Sequence, residues 1–136
     1  MWQTPKTNWL STDKINIDDF NRIKNNMQYL IDLGQELYGS FDTVRLAADQ
    51  TYTGIPYASM WNAIERDIDL VYENTFKFNG KEDTVTWYPN NRYIDHVNLN
   101  RIESTQLEMY QYLYGIKSGL RRLAFTLGSS PIGNRG

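Results

Sequence analysis

Residues 16–24 read NIDDFNRIK, and residues 95–103 read DHVNLNRIE. Each stretch opens with an Asn or Asp, and each is followed by apolar residues at helical spacing. Asn and Asp are preferred N-caps, because their side chains accept a hydrogen bond from a backbone N–H of the first turn. The two stretches therefore predict the starts of two amphipathic helices.

The first helix is predicted to begin after Asn16, with Asp19 three residues later, where an acid can bond back to the cap. Apolar residues then follow at steps of three and four, which is typical of a helix that buries one face. Gly34 falls on this stripe and is either a stop or a point of close packing. The stripe is Phe20, Ile23, Met27, Leu30, Gly34 and Leu37.

The helix predicted after Asp95 is longer, because its stripe continues without a break to Leu127. A heptad pattern of this length indicates a long helix in a bundle or a coiled coil. Gly115 and Gly119 lie four residues apart on it, and they either admit another helix closely or mark a bend. The stripe is Leu99, Ile102, Gln106, Met109, Leu113, Ile116, Leu120, Leu123 and Leu127.

A weaker copy of the same start lies between these two, at residues 61–65, WNAIE. Asn21, Asn62 and Asn100 stand at matching places in the three copies, 41 and 38 residues apart. This spacing predicts an internal repeat of nearly 40 residues. The predicted fold is therefore mainly all-α, a bundle of three main helices in one domain at 1–128. Residues 129–136 are rich in Gly, Ser and Pro and are predicted to be a tail or linker.

The segments between the helices suggest smaller elements. Residues 75–88 alternate apolar positions around Asn79 and Gly80, which predicts a small β-hairpin. Ser40 is a candidate cap for a short helix over 41–48.

The recurring Asn-Arg-Ile unit allows two interpretations. As a binding site, its Asn and Arg would hold a carboxylate or a sugar hydroxyl. As structure, its Ile is core, its Asn bonds a neighbouring loop, and its Arg pairs with an acid. Recurrence at matching places in a stripe favours the structural interpretation, because repeated active sites are unusual in so short a chain. The residues concerned are Asn21, Arg22, Ile23, Asn62, Ile64, Asn100, Arg101 and Ile102.

Aromatic residues make up 14% of the chain, which suits a core, a protein interface or a sugar-stacking surface. Trp87, Tyr88 and Tyr93 are the best candidate for a sugar platform or an interface. Trp9 and Trp87 each precede a predicted helix, and each is expected to fasten a loop onto a helix.

The composition argues against several other functions. The net charge of −2 provides no basic field for nucleic acid or an anionic membrane, and no cysteine is present. His96 is the single histidine, which rules out a multi-histidine metal site. Neither a phosphate-binding glycine loop nor a catalytic triad is recognisable. We therefore expect no catalytic, cofactor or metal residues, and a protein that is not an enzyme.

The N-terminal residues carry a resemblance. TPKTNW at residues 4–9, followed by Asp19, Asn21, Arg22 and Ile23, resembles the opening of minor virion proteins of tailed phages and prophages of Gram-positive bacteria. Lys24 departs from the pattern, since such segments often carry Glu there.

The resemblance implies a non-enzymatic tail, baseplate or fibre component, made in the host cytoplasm and located in the virion. It implies other virion proteins as partners, and the long heptad stripe is compatible with a homo-oligomer such as a trimer. The alternative function is a module that binds host cell-wall polysaccharide through its aromatic platform.

Overall fold

A computed structural model describes residues 1–51, 58–89 and 94–129, with side chains described up to residue 120. It contains three helices: α1 (Ile17–Tyr38), α2 (Ala58–Asn74) and α3 (His96–Ser129). The described residues contain no β-strand. The prediction of a mainly helical chain with three main helices is thus confirmed.

The helix starts follow from local hydrogen bonds. The Asn16 Oδ1 atom accepts from the Asp19 backbone N–H at 2.9 Å, and an Asp19 carboxylate oxygen accepts from the Asn16 N–H at 3.0 Å, which completes a capping box. Asp95 caps α3 in a related way, because its Oδ1 accepts from the Asn98 N–H at 2.9 Å. α1 ends at Gly39, whose φ of 91° is the left-handed conformation that glycine adopts readily.

Two pairs of contacts show that α1 and α3 run in the same direction. Near their starts, Arg22 of α1 bonds Glu103 of α3, and near the end of α1, Glu36 bonds Lys117. Both pairs are separated by 81 residues in the chain. The two helices therefore keep one parallel register over about two-thirds of the length of α1.

α2 is parallel to α1 as well. The rings of Phe20 and Trp61 meet edge to face near the two starts, with centroids 5.2 Å apart. Gly34, near the end of α1, lies against Thr75, the residue that follows α2: a Cβ on Gly34 would come within 2.9 Å of the Thr75 Cγ2 atom. Gly34 is therefore a point of close packing within α1 and not its stop.

Parallel helices require the chain to return along the bundle between them. α1 has 22 residues and is about 33 Å long, a distance that takes at least ~10 extended residues to cover. The described parts of the connections, 39–51 and 75–89, accordingly contain neither helix nor strand. The short helix predicted over 41–48 is therefore wrong.

The β-hairpin predicted at 75–88 is also wrong, although its turn at Asn79 and Gly80 is present. The second arm bonds α2 instead of the first arm. The Trp87 backbone N–H donates to Asn62 at 2.6 Å, and the Thr84 hydroxyl donates to Asp69 at 2.6 Å. Because helix side chains take these hydrogen bonds, no strand ladder forms.

The core lies between the apolar faces of the three helices. Its fully buried apolar members on α1 and α2 are Phe20, Ile23, Met27, Leu30, Ile64, Ile68 and Val71, and on α3 it contains Leu99, Ile102, Gln106, Met109 and Leu113. α3 passes through Gly115 and Gly119 without a break. Among the described atoms, a Cβ at either glycine would meet nothing within 4 Å, so neither admits another helix of this chain.

The internal repeat is not supported as a repeated unit. The three helices have 22, 17 and 34 residues, and α3 alone extends well past the shared core. What the three copies have in common is one local contact at the helix start.

Candidate functional site

Each of the three aligned asparagines holds the backbone of one residue in a connecting segment. In every case the side-chain oxygen accepts from that residue's N–H and the side-chain amide donates to its C=O. The pairs are Asn100 with Trp9 at 2.7 and 3.0 Å, Asn62 with Trp87 at 2.6 and 2.7 Å, and Asn21 with Gln50 at 2.9 and 3.0 Å. An asparagine used in this way pairs two backbone groups that a strand would otherwise satisfy.

The tryptophans do fasten segments to helices, but not to the helices they precede. Trp9 stands before α1 and is bound to α3, and Trp87 stands before α3 and is bound to α2. Each connection thus lies against the helix that it follows, and the N-terminal segment covers α3.

Glu103 is the centre of the first buried polar cluster. It is fully buried and accepts from the Arg22 guanidinium at 3.0 and 2.8 Å. It also accepts from the Trp9 indole N–H at 2.7 Å and from the Lys6 backbone N–H at 3.1 Å. One carboxylate therefore joins α1, α3 and the N-terminal segment.

Glu65 is the centre of a second cluster with the same arrangement. It is buried and accepts two bonds of 2.7 Å from the Arg101 guanidinium, and a third of 2.8 Å from the Trp87 indole N–H. Here α3 supplies the arginine and α2 the acid, whereas in the first cluster α1 supplies the arginine and α3 the acid.

The third copy of this arrangement, which would pair α2 with α1, has neither the arginine nor the glutamate. Ala63 occupies the place of the arginine and Lys24 the place of the glutamate, so the two changes leave no unpaired charge between α2 and α1. Lys24 is buried and bonds Asp49 of the following connection instead. Lys24, the position that departs from the resemblance, thus also binds a connecting segment, but with a cation where the other two copies have a carboxylate.

Glu65 and Glu103 were not among the residues predicted to matter from the sequence. The sequence does contain a signal for these two residues. A glutamate stands three residues after the asparagine in two of the three copies, and in these two copies the asparagine binds the backbone of a tryptophan. The asparagines, Arg22 and Arg101 were singled out, and they make the contacts that the structural interpretation describes. Ile23, Ile64 and Ile102 are fully buried.

Two of the three residues of the candidate aromatic platform lie within the described part of the chain. Trp87 is half-buried and its indole N–H is used by Glu65, whereas Tyr88 is 63% exposed. Tyr93 lies outside the described residues.

His96 is the first residue of α3, and across 1–51, 58–89 and 94–129 there is no group of three or more His, Cys, Asp or Glu placed to hold a metal ion. None of the helices, in the part that is described, is long and apolar enough to cross a bilayer.

Asp67 is a buried carboxylate with incomplete hydrogen bonding. Its Oδ1 accepts from the Val44 backbone N–H at 2.6 Å, and within the described residues its Oδ2 has no partner. Burial raises the pKa of Asp67 to about 6, and the bond from Val44 and the charge of Arg66 oppose this shift only in part. The fold therefore favours the protonated form of Asp67.

We expect Asp67 to make the protein less stable as the pH rises from about 4 to 7, because the folded state must then hold a buried charge. The loss of unfolding free energy from this residue is up to about 3 kcal/mol. Urea denaturation of the protein and of Asp67→Asn across this range measures it. The difference between the two should grow in favour of the variant as the pH rises; a constant difference would show that Asp67 does not titrate in this range.

Comparisons of this chain with protein families, curated proteins and solved structures find no match.

Proposed function

We propose that this chain is a non-enzymatic structural module of a phage or prophage virion. It would belong to the tail or baseplate, where it holds parts together or attaches a receptor-binding part. The sequence resemblance supports this proposal through residues 4–9 and 19–23, of which Trp9 and Arg22 belong to the Glu103 cluster. Mass spectrometry of purified particles tests the location, and absence of the chain from the virion would contradict it.

One observation supports the assembly role: α3 extends past the end of α1, and its apolar stripe continues into the extending part. In the register set by the Arg22–Glu103 and Glu36–Lys117 pairs, the end of α1 at Tyr38 is level with Gly119. Residues 120–129 of α3 therefore extend about 15 Å past α1. Leu120, the first of them, is 53% exposed although it lies on the stripe.

Further apolar surface lies at the same end of the bundle. Tyr38 and Tyr112 are exposed there, Tyr112 on the face of α3 that carries the two glycines, and among the described atoms a Cβ at Gly115 or Gly119 would meet nothing within 4 Å. Large exposed apolar side chains that cluster together are characteristic of protein–protein contacts. In the proposed function, this end of α3 associates with copies of itself or with a neighbouring virion protein.

Charge sets a condition on self-association. After Glu108 the sequence contains no further acid, whereas Lys117, Arg121 and Arg122 follow on α3. Parallel copies of α3 would bring these like charges together, and salt would screen their repulsion. A homo-oligomer should therefore be more stable at high salt than at low salt.

Light scattering coupled to size-exclusion chromatography tests the oligomer. We expect a multiple of the 16.0 kDa chain mass, with more association at high salt, and Leu120→Ser should shift the protein to monomer. Val97→Ser is the matched control, because Val97 is an equally exposed apolar residue at the other end of α3. A 16.0 kDa monomer at high concentration in either salt would contradict self-association of this chain.

The second candidate function is a module that binds host cell-wall polysaccharide through Trp87, Tyr88 and Tyr93. The exposure of Tyr88 beside Trp87 favours it. A change of tryptophan fluorescence on adding cell-wall polysaccharide, lost in Tyr88→Ala, would support it. No response across a panel of polysaccharides would count against it.

A further inference from the structure

A pocket of about 390 Å³ lies between α1 and the N-terminal segment, far along the chain from the aromatic platform. Its volume is within the range of sites that take small molecules. Four of its residues are spaced at three, four and seven along α1, so they share one face of that helix. The lining residues are Met1, Gln3, Asn25, Gln28, Tyr29 and Asp32.

The aromatic wall of this pocket is held in place from behind. The Tyr29 ring packs against Trp2 and Tyr110, with centroids 5.8 and 5.9 Å away. Trp2 and Tyr110 are themselves stacked, with centroids 4.2 Å apart and ring planes nearly parallel. Because two neighbouring rings restrict Tyr29, its exposed part is a fixed surface on which the apolar face of a ligand can lie.

The polar groups of the pocket are oriented as well. The Gln28 amide donates to the Asp32 carboxylate at 3.0 Å, so the two side chains lie side by side on this face of α1. The backbone of Gln3 is held by the buried Asn26, through two bonds of 2.8 Å. In the part of the chain that the structure describes, no hydrogen bond occupies the Gln28 carbonyl oxygen or the Gln3 side-chain amide. These groups offer both donors and acceptors to a ligand.

The charge of the lining selects the class of ligand. It contains one carboxylate, on Asp32, one cation, the α-amino group of Met1, and no Lys or Arg. The ammonium of Lys24, which also bonds the Asn25 side chain, is paired with Asp49. Amide groups and a lining of no net charge beside an aromatic face suit an uncharged molecule that has several hydroxyl groups and an apolar face.

We propose that this pocket binds a neutral pyranose sugar. The apolar face of the sugar lies on Tyr29, and its hydroxyl groups bond Gln28, Asp32 and Gln3. This inference does not depend on the virion role, and it assigns a site other than Trp87 and Tyr88. The pocket lies on α1 and the N-terminal segment, whereas Trp87 and Tyr88 lie in the connection between α2 and α3, so one experiment can distinguish the two sites.

The test is a titration of the ¹⁵N-labelled full chain, followed by NMR. The probes are the methyl glycosides of glucose, galactose, mannose and N-acetylglucosamine at concentrations in the tens of millimolar, with N-acetylneuraminic acid as an anionic control. We expect saturable shifts of the side-chain amide signals of Gln3, Asn25 and Gln28 with at least one neutral sugar. The anionic sugar should leave them unchanged.

Two variants make the test specific. Gln28→Ala removes an exposed side chain and should weaken binding about fivefold, the effect of one neutral hydrogen bond. Tyr88→Ala, on the other aromatic surface, should leave the affinity unchanged. The proposal is overturned if no neutral sugar shifts the pocket signals, if Gln28→Ala binds as well as the parent chain, or if the shifts occur only around Trp87 and Tyr88. None of these outcomes bears on the oligomeric state, which tests the virion module separately.

Discussion

Replacing Glu103 with alanine is expected to lower the free energy of unfolding by about 4 kcal/mol. The reason is that four donors lose their acceptor together: two from Arg22, the Trp9 indole and the Lys6 backbone. The largest part of the loss comes from the arginine, whose side chain is only 16% exposed and would keep Asp19 as its remaining acidic partner. Leaving a largely buried cation short of its acceptor costs more than the intact pair contributes.

Urea denaturation followed by circular dichroism measures this change. Glu108→Ala is the matched control, because it removes an acid from the same helix that makes no hydrogen bond within the described residues, and it should change the free energy by less than ~0.5 kcal/mol. Glu103→Gln should lie between the two, since the amide retains one acceptor oxygen. A loss below about 1 kcal/mol in Glu103→Ala would show that the cluster is not a support of the fold.

The second large effect is expected at the N-terminal segment: Trp9→Ala should cost about 4 kcal/mol. Trp9 is only 2% exposed, so alanine would leave a large cavity against α3. It would also leave Glu103 without the indole donor at 2.7 Å. Trp9→Phe keeps a six-membered aromatic ring but loses the pyrrole part of the indole together with this bond, which should cost about 1–3 kcal/mol.

Stability in urea should therefore rise from Trp9→Ala to Trp9→Phe to the parent chain. Leu10→Ala is the control at the next residue, which is exposed and should have almost no effect. Limited proteolysis gives a second reading, because the N-terminal segment should become cleavable in Trp9→Ala while α1 to α3 stay protected. Equal stability of the alanine variant and the control would contradict a structural role of this segment.

The local part of the fold could be predicted from the sequence. Asn16 and Asp95 cap helices through bonds to residues three positions away, and the stripes that follow them are periodic. Such features depend on a few neighbouring residues, and both were predicted correctly. The helix directions could not be predicted, because they depend on packing between residues far apart in the chain, and pairs such as Glu36 with Lys117 become visible only in the folded structure.

The predicted hairpin failed for a related reason. Alternation of apolar residues indicates an extended segment with two different sides, and 75–89 is such a segment. It does not indicate what takes the backbone hydrogen bonds, which here is Asn62 on α2 for the Trp87 backbone. A strand and a segment bound to helix side chains therefore have similar sequences.

The candidate sites were less predictable than the fold. Tryptophan and tyrosine are used both for packing and for binding, and Trp87 was placed in a platform although its indole N–H is bound by Glu65. The pocket beside Tyr29 depends on Gln3 of the N-terminal segment, whose position is fixed by Asn26 across 23 residues. No spacing within α1 indicates that partner.

The covering of α3 by the N-terminal segment also sets the order of events during synthesis. Trp9 leaves the ribosome early, but its partner Asn100 follows 91 residues later. Until α3 is complete, the tryptophan has no place to bury, and the nascent chain exposes it together with the apolar faces of α1 and α2. Contacts this distant in sequence slow folding, because a long loop must close before any stabilisation is gained. The N-terminal segment should therefore dock last, and cooperative unfolding should start with its release.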